Sequence, residues 1–295
     1  MELQVYLKDR RAMVDEALQG FLPSDETGSR ISEAMRYSLF AGGKRLRPIL
    51  CLAGADAVGG DFGQAMFCAC ALEMIHTYSL IHDDLPAMDD DDLRRGVPTN
   101  HKVYGQGMAV LAGDGLLTQA MVLLSDHNQI QGLDPGRVLD AAQVVMKAAG
   151  YQGMVGGQAA DLEAEAQEPD LALVQFIHSQ KTGALITASV QSGAILGGGS
   201  QDQIETLVKY GRRIGLAFQI ADDLLDLMGD AGRLGKNPGA DEKKGKMTYP
   251  AVVGPRAARE KGWHLAEEAA EMARSLGSGA EPLALLATYI IERTH

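Results

Sequence analysis

Residues 80–96 read LIHDDLPAMDDDDLRRG and join an apolar run to a dense cluster of charged side chains. Six aspartates occupy positions 83, 84 and 89–92, and Arg94 and Arg95 follow them directly. Residues 65–81 are almost entirely apolar, which is typical of a helix buried on most of its circumference. The pattern predicts a core helix that ends in a cluster of carboxylates.

Clustered carboxylates repel one another, and proteins tolerate them where solvent or a multivalent cation surrounds them. Hard oxygen ligands favour Mg²⁺ or Ca²⁺. Mg²⁺ usually takes one or two protein carboxylates and completes its shell with water and substrate phosphate oxygens. The guanidinium groups of Arg94 and Arg95 are suited to phosphate oxygens. This stretch therefore favours a diphosphate substrate held through Mg²⁺.

Two other structures could produce such an acidic cluster. Blocks of like charge are usually exposed, so residues 89–92 alone would indicate a solvated loop. An EF-hand loop requires glycine at its sixth position and glutamate at its twelfth. Counted from Asp83, those positions hold Met88 and Arg94, so the EF-hand interpretation fails.

A second stretch, residues 215–230, reads GLAFQIADDLLDLMGD and carries one polar stripe on an otherwise apolar pattern. Gln219, Asp222 and Asp226 are spaced i, i+3 and i+7, which puts them on one helical face. Asp222 and Asp226 are one turn apart and could share a cation. The two stretches together predict two buried helices that face each other across one Mg²⁺-filled cavity.

The first aspartate cluster poses a geometric problem. Asp83 and Asp89 are six residues apart, or about 240° around a straight helix, so such a helix cannot bring both to one ion. Pro86 lies between them, where it removes a backbone hydrogen bond and bends the chain. We therefore expect residues 85–88 to loop out and let the flanking aspartates converge.

Three other segments place polar side chains among apolar ones. The segment GGKRLRP at 42–48 puts Lys44 three residues before Arg47, as a phosphate-binding turn or as an ordinary basic turn between helices. His76 lies two helical turns before Asp83 and shares its face, although a lone histidine there is more often a core residue. Lys181 lies in an apolar helix predicted over 171–195, where a buried lysine requires an anion.

Residues 153–161 read GMVGGQAAD and are rich in glycine. They lack the GK[ST] ending of a phosphate-binding loop. Small residues that let helices pack closely are the better explanation, with Gln158 and Asp161 facing the cavity as a second possibility.

Composition narrows the class of protein. The 295 residues are long enough for one large domain or two ordinary ones, and 46% of them are apolar with little alternation, which favours helices. The net charge of −12 argues against a nucleic-acid partner. Three cysteines without paired spacing favour neither disulfides nor zinc, and we expect a cytoplasmic protein. No signal peptide and no membrane span are expected.

Together the motifs resemble those of the trans-isoprenyl diphosphate synthases, most closely the bacterial type that makes farnesyl diphosphate. The matching segments are GGKRLRP at 42–48, DDLPAMD at 83–89, KTG at 181–183, FQ at 218–219, DDLLD at 222–226, and LGK and KGKMTYP between 234 and 250. They follow one another in the family's order along almost the whole chain. A lone DDxxD would be weak evidence, because terpene cyclases carry one too.

The resemblance implies one all-α domain over residues 1–295, with about ten helices around a central cavity. It implies about three Mg²⁺ ions and an allylic diphosphate that ionises at the mouth of this cavity. The double bond of isopentenyl diphosphate then attacks the allyl cation, and the released diphosphate takes the proton. Dimethylallyl and geranyl diphosphate are the expected allylic substrates, (2E,6E)-farnesyl diphosphate is the expected product, and a homodimer is implied.

The resemblance also assigns roles to single residues. The expected Mg²⁺ ligands are Asp83, Asp89, Asp222 and Asp226, and Lys181 is expected near the developing cation as a catalytic residue. The residues expected at the isopentenyl diphosphate site are Gly43, Lys44, Arg47, His76 and Arg95. Those expected at the allylic site are Arg94, Lys181, Thr182, Gln219 and Lys236. Lys246 is a second candidate for the role of Lys236, and the roles of Asp84 and Asp161 stay open.

Product length is expected to depend on Tyr78 and its neighbour Ser79. Tyr78 lies five residues before Asp83, about 7.5 Å down the helix, where an aromatic ring can form a floor. In the family, an aromatic here accompanies a fifteen-carbon product and a small residue a twenty-carbon product. A core tyrosine is the alternative.

Three other functions remain open. The first is a geranylgeranyl diphosphate synthase. The second is a terpene cyclase, which should lack GGKRLRP and a second full aspartate motif. The third is a non-catalytic subunit of a prenyl synthase, which typically loses its aspartate motifs.

Overall fold

A computed structural model of the chain describes residues 2–22, 29–164, 168, 170–228 and 246–292. The first helices are α1 (Leu3–Phe21), α2 (Arg30–Leu39), α3 (Leu46–Ala57), α4 (Met66–Asp83), α5 (Asn100–Tyr104), α6 (Gln106–Leu124), α7 (His127–Ile130) and α8 (Pro135–Ala149). The later ones are α9 (Met154–Ala164), α10 (Leu171–Ile177), α11 (Ala184–Leu196), α12 (Gln201–Met228), α13 (Tyr249–Val253), α14 (Pro255–Arg274) and α15 (Glu281–Glu292). The all-α prediction is confirmed: among the described residues, eleven helices have ten residues or more.

Short irregular elements connect these helices. Single 3-10 turns at Phe62–Ala65 and Ser278–Ala280 lead into α4 and α15. The strands β1 (Leu93–Arg94) and β2 (Val97–Pro98) form a two-residue antiparallel hairpin after the first aspartate cluster. A π-helical turn, His178–Gly183, joins α10 to α11. The continuous helix predicted over 171–195 is therefore interrupted by a wider turn.

The two predicted aspartate helices lie in the core. Helix α4 packs against α3 and α6, and Leu72, Met74 and Ile75 on it are at most 1% exposed. Burial of each such side chain contributes about 1.5–3 kcal/mol. Helix α12 packs against α11 and α14 and buries Ile214, Ala217, Ala221 and Leu224. Because apolar contacts hold both helices from several sides, their polar ends have defined positions.

Helix α6 differs from the other described helices, since it alone is long and apolar enough to cross a membrane, with a mean hydropathy of 1.5. Core helices of soluble proteins can have the same composition, so this is weak evidence for a membrane span. One face of α6 is buried against α4, while Val110, Leu111, Met121 and Val122 on the other face are between 41% and 56% exposed. Helix α6 therefore presents an apolar stripe on the surface.

Candidate active site

A cavity of about 730 Å³ lies between the C-terminal half of α4, α9, the π-helical turn and α12. The residues predicted for the site that line it are Arg47, His76, Tyr78, Ser79, Asp83, Asp89, Arg94, Lys181, Thr182, Gln219 and Asp222. Gly43, Lys44, Arg95 and Asp226 do not line it, and Lys236 lies outside the described residues. The chain thus brings most of the predicted residues together from segments far apart in sequence.

The looping-out of residues 85–88 is confirmed by the backbone hydrogen bonds. Helix α4 ends at Asp83, and the peptide N–H of Asp89 donates to the carbonyl of Asp83 over 2.8 Å. Inside the loop, the N–H of Met88 donates to Leu85 over 2.9 Å. This turn brings Asp83 and Asp89 to the same edge of the cavity, as two residues on adjacent helical turns would be.

Asp84 points away from the cavity and pairs with Arg94. Its side chain is 4% exposed and accepts a hydrogen bond from Nε of Arg94 over 2.8 Å. Burial raises the pKa of Asp84 to about 6, although Arg94 acts in the opposite direction. Arg94 also donates to Asp91 over 3.0 Å. Asp84 and Asp91 therefore hold Arg94 at the cavity wall.

The two neighbouring aspartates of α12, Asp222 and Asp223, both line the cavity but differ in their contacts. Asp222 faces the cavity beside Gln219. The next residue, Asp223, accepts a hydrogen bond from the backbone N–H of Tyr249 over 2.8 Å and so ties α12 to the start of α13. Asp226 is 4% exposed and lies one turn beyond the cavity lining. Of the second motif, Asp222 is the predicted ligand that reaches the cavity.

Two lysines neutralise the carboxylates of the cavity. Nζ of Lys246 lies 2.9 Å from Oδ1 of Asp89. Nζ of Lys181 lies 2.6 Å from Oδ2 of Asp161, which in turn is 4.0 Å from Lys246. Burial raises the pKa of Asp83, while Lys181 lowers it and Asp89 raises it further. The site therefore alternates anionic and cationic groups.

Lys181 owes its position to a close helix crossing. It lies on the π-helical turn, a type of turn that is frequent at functional sites. A Cβ atom at Gly157 of α9 would overlap the backbone nitrogen of Lys181. The prediction that glycine in residues 153–161 lets helices pack closely is thus confirmed at Gly157. Gln158 and Asp161 from the same helix line the cavity.

Carboxylate oxygens are the donors that Mg²⁺ prefers, and Asp83, Asp89 and Asp222 supply them from both sides of one cavity. Within the described part of the chain, no three His, Cys, Asp or Glu side chains are close enough to form a metal cluster by themselves. Mg²⁺ takes only one or two protein carboxylates when phosphate oxygens complete its shell. The donor set therefore fits Mg²⁺ bound together with a diphosphate.

Arg47 and His76 add one cationic and one neutral polar side chain to the cavity wall. Burial lowers the pKa of Arg47 to about 10, and Glu73 and Asp222 offset part of this effect. Burial and the charges of Arg47 and Arg95 lower the pKa of His76 well below its ordinary value. At neutral pH Arg47 is therefore charged and His76 is neutral.

Lys44 and Arg95 lie behind this wall. Lys44 is exposed and lines a separate cavity of about 280 Å³ with Lys8 and Arg11 of α1. Arg95 donates to the carbonyl of Gly42, and its guanidinium rests on Gly43. In the structure neither Lys44 nor Arg95 lines the larger cavity.

Sequence reasoning missed Arg45 and the partner that makes it important. Arg45 is 3% exposed and donates to Glu73 over 2.7 Å, to Asp15 over 2.8 Å and to the carbonyl of Leu39 over 2.8 Å. Glu73 is 1% exposed and also lies 3.7 Å from Arg95. Arg45 thus supports the turn that carries Lys44 and Arg47. Spacing alone does not distinguish it from its basic neighbours.

The apolar part of the cavity lies beside α4, below Asp83. Tyr78 is 7% exposed, and its ring and Ser79 line this part together with Met154 and Val155 of α9. The Ser79 hydroxyl donates a hydrogen bond to the carbonyl of His76 over 2.9 Å, so its proton is already bonded within its own helix. Of the two residues predicted to affect product length, Tyr78 offers the larger surface to the cavity.

Comparison with known proteins gives a consistent set of relatives. The polyprenyl synthetase family model matches residues 29–276. A farnesyl diphosphate synthase of Geobacillus stearothermophilus is 43% identical over 296 residues, covering 100% of this chain and 99% of the relative. Geranylgeranyl pyrophosphate synthase 11 of Arabidopsis thaliana is 48% identical over 98% of this chain and 82% of the relative.

A solved structure agrees with these matches. The apo structure of an FPP/GFPP synthase from Zymomonas mobilis superposes with a TM-score of 0.87 at 39% identity, covering 98% of each chain. The likeness therefore extends over the fold as well as the sequence.

Proposed function

The chain belongs to the polyprenyl synthetase family and is a trans-prenyltransferase, and we propose that its product is (2E,6E)-farnesyl diphosphate. The substrates would be isopentenyl diphosphate with dimethylallyl and then geranyl diphosphate. The observation that carries this proposal is the buried ring of Tyr78 at the wall of the cavity, one and a half turns before Asp83. We further propose that residues 1–295 form one domain.

Charge distribution supports the proposed mechanism. Asp83, Asp89 and Asp222 would hold about three Mg²⁺ ions, with Asp226 behind them. The bound Mg²⁺ would act as a Lewis acid that stabilises the leaving diphosphate. Arg94 would bind the allylic diphosphate, together with Thr182, Gln219 and the lysines at 181 and 236. The cavity would exclude water from the allyl cation while the double bond of isopentenyl diphosphate attacks it.

The ion pairs formed by Lys246 and Asp161 indicate how these residues would respond to a bound diphosphate. Lys246 bonds Asp89 and Lys181 bonds Asp161. A diphosphate entering with Mg²⁺ would compete for both ammonium groups, because phosphate oxygens and carboxylates accept the same charge-assisted hydrogen bonds. Lys246 is therefore our candidate for a second cation on the allylic diphosphate.

The product length tests the central proposal. Tyr78→Ala should produce twenty-carbon product and reduce the fifteen-carbon share, because truncating a large buried aromatic leaves a cavity. That cavity would extend the space for the tail, with about 0.8 kcal/mol gained per CH₂ buried. The measurement is chromatographic sizing of products made from isopentenyl and dimethylallyl diphosphate. An active variant that still stops at fifteen carbons would remove Tyr78 from this role.

Geranylgeranyl diphosphate synthesis is the second candidate function. It is favoured by the Arabidopsis thaliana relatives named for that product, which are 47–48% identical to this chain. The wild-type product separates the two functions: a predominantly twenty-carbon product would replace our proposal. A non-catalytic subunit is disfavoured, since both aspartate motifs are complete.

The isopentenyl diphosphate site is expected to depend more on Arg47 than on Lys44. Arg47→Ala removes a buried charge-assisted contact at the cavity wall, so the KM for isopentenyl diphosphate should rise about 10- to 100-fold. Lys44→Ala is the matched comparison, because it removes an exposed cation from the same turn. Initial rates with each substrate varied in turn give both KM values. An equal rise for the allylic substrate would contradict a separate site.

We also propose a cytoplasmic homodimer. The exposed apolar stripe of α6, with Val110, Leu111, Met121 and Val122, is the surface we assign to the second copy. Val110 additionally lines the cavity, so a second copy on this stripe would also cover one side of the site.

A further inference from the structure

The imidazole of His82 lies between the candidate floor of the cavity and helix α6. Its ring centroid is 5.7 Å from that of Tyr78, with an edge-to-face angle of 77°. Its Nε2 is 3.0 Å from the backbone carbonyl of Val110. A carbonyl only accepts hydrogen bonds, so Nε2 carries the proton. One ring therefore links Tyr78 to the backbone of α6.

Helix α6 leaves space for His82 at one position. A Cβ atom at Gly113 would overlap Nε2 of His82, and it would lie 2.8 Å from Cε1. Any larger residue at 113 would have to displace the imidazole. The His82 ring is thus seated against the glycine backbone and hydrogen-bonded one turn away, at Val110.

Tyr78 depends on such packing for its position. Among the described residues, none forms a hydrogen bond with the Tyr78 hydroxyl, so contacts of the ring determine where the side chain lies. Its aromatic partner is His82, one helical turn closer to the aspartates. Edge-to-face pairs stabilise a defined relative orientation of two rings.

We propose that His82, seated on Gly113, is a positioning residue that sets product length by holding the Tyr78 ring in place. The inference rests on the proposed role of Tyr78 in the function above. Without the imidazole, the Tyr78 side chain can rotate toward α6 and open the end of the channel. The alternative is that His82 only ties α4 to α6, which would affect stability and leave product length unchanged.

The test compares His82→Ala with His82→Phe in the full-length protein supplied with Mg²⁺, isopentenyl diphosphate and dimethylallyl diphosphate. His82→Ala should raise the ratio of twenty- to fifteen-carbon product by roughly tenfold, the effect of about two extra buried CH₂ groups. His82→Phe keeps a ring beside Tyr78 and should leave the ratio close to that of the wild type. If His82→Ala is active and its product ratio is unchanged, the proposal is wrong.

A second pair of variants tests the same link from the other helix. Gly113→Ala displaces the imidazole and should also raise the share of the longer product. Gly107→Ala, on the same helix, is the matched control, because a Cβ atom at this position would meet no atom within 4 Å. Equal product ratios in both glycine variants would overturn the proposal even if the His82 variants failed to fold.

Tyr78→Ala separates failure of this inference from failure of the proposed function. If Tyr78→Ala gives a longer product and His82→Ala leaves the product unchanged, Tyr78 forms the floor of the channel but His82 does not position it. An unchanged product from Tyr78→Ala would reject the floor itself. The wild-type product, measured alongside, tests the farnesyl assignment independently of both.

Discussion

Replacing Asp83 or Asp222 by alanine should lower kcat by at least about 10²-fold, as loss of a main electrostatic stabiliser does. Both carboxylates face one cavity from opposite helices, and each would lose its share of the Mg²⁺-held diphosphate. Folding should survive, because burial already raises the pKa of Asp83 and its charge is costly to the folded state. Steady-state rates and thermal unfolding curves measure the two properties.

The control for this experiment is Asp202→Ala, an exposed aspartate in the first turn of α12. It changes the net charge by the same amount without touching the cavity and should keep its turnover within about twofold. Near-normal turnover in Asp83→Ala or Asp222→Ala would exclude that residue from the metal site.

Glu73→Gln should lower the free energy of unfolding by about 3–5 kcal/mol, since breaking a buried ion pair leaves an uncompensated charge. Glu73 and Arg45 are 1% and 3% exposed, and Arg95 is 3.7 Å from the same carboxylate. Glutamine has nearly the same volume, so the loss reports the charge rather than a cavity. Urea unfolding measures it.

A matched exposed pair separates this effect from ordinary surface electrostatics. In the Arg256–Glu260 pair the side chains are 93% and 66% exposed, so Glu260→Gln should leave the free energy of unfolding nearly unchanged. If Glu73→Gln changed the free energy of unfolding as little as Glu260→Gln, Asp15 alone would be sufficient to neutralise the charge of Arg45.

Patterns within single segments predicted much of the fold and part of the site. The apolar run before Asp83 predicted α4, and the stripe of Gln219 and Asp222 predicted a cavity-facing side of α12. The spacing of Asp83 and Asp89, with Pro86 between them, predicted the loop that the hydrogen bond from Asp89 to Asp83 confirms. Each inference used only helical geometry and residues a few positions apart.

Other parts of the site could not be predicted this way. The spacing of Lys44, Arg45 and Arg47 in one basic turn does not show which of them reaches the cavity. In the structure Lys44 is exposed, Arg45 pairs with Glu73 and Arg47 lines the cavity. The pairing of Lys246 with Asp89 joins residues 157 positions apart. Such contacts depend on how the helices pack, which periodicity does not encode.

The helices, their buried faces and the carboxylates at their ends could be inferred from sequence, because they follow from the fixed helical period within one chain segment. Which side chains meet across the cavity depends instead on how distant segments pack. The tertiary structure assigned Asp84 to Arg94, Asp223 to the backbone of Tyr249, and the imidazole of His82 to a glycine on α6. Those choices depend on distances between segments, and close packing allows only a few side chains to fit each gap.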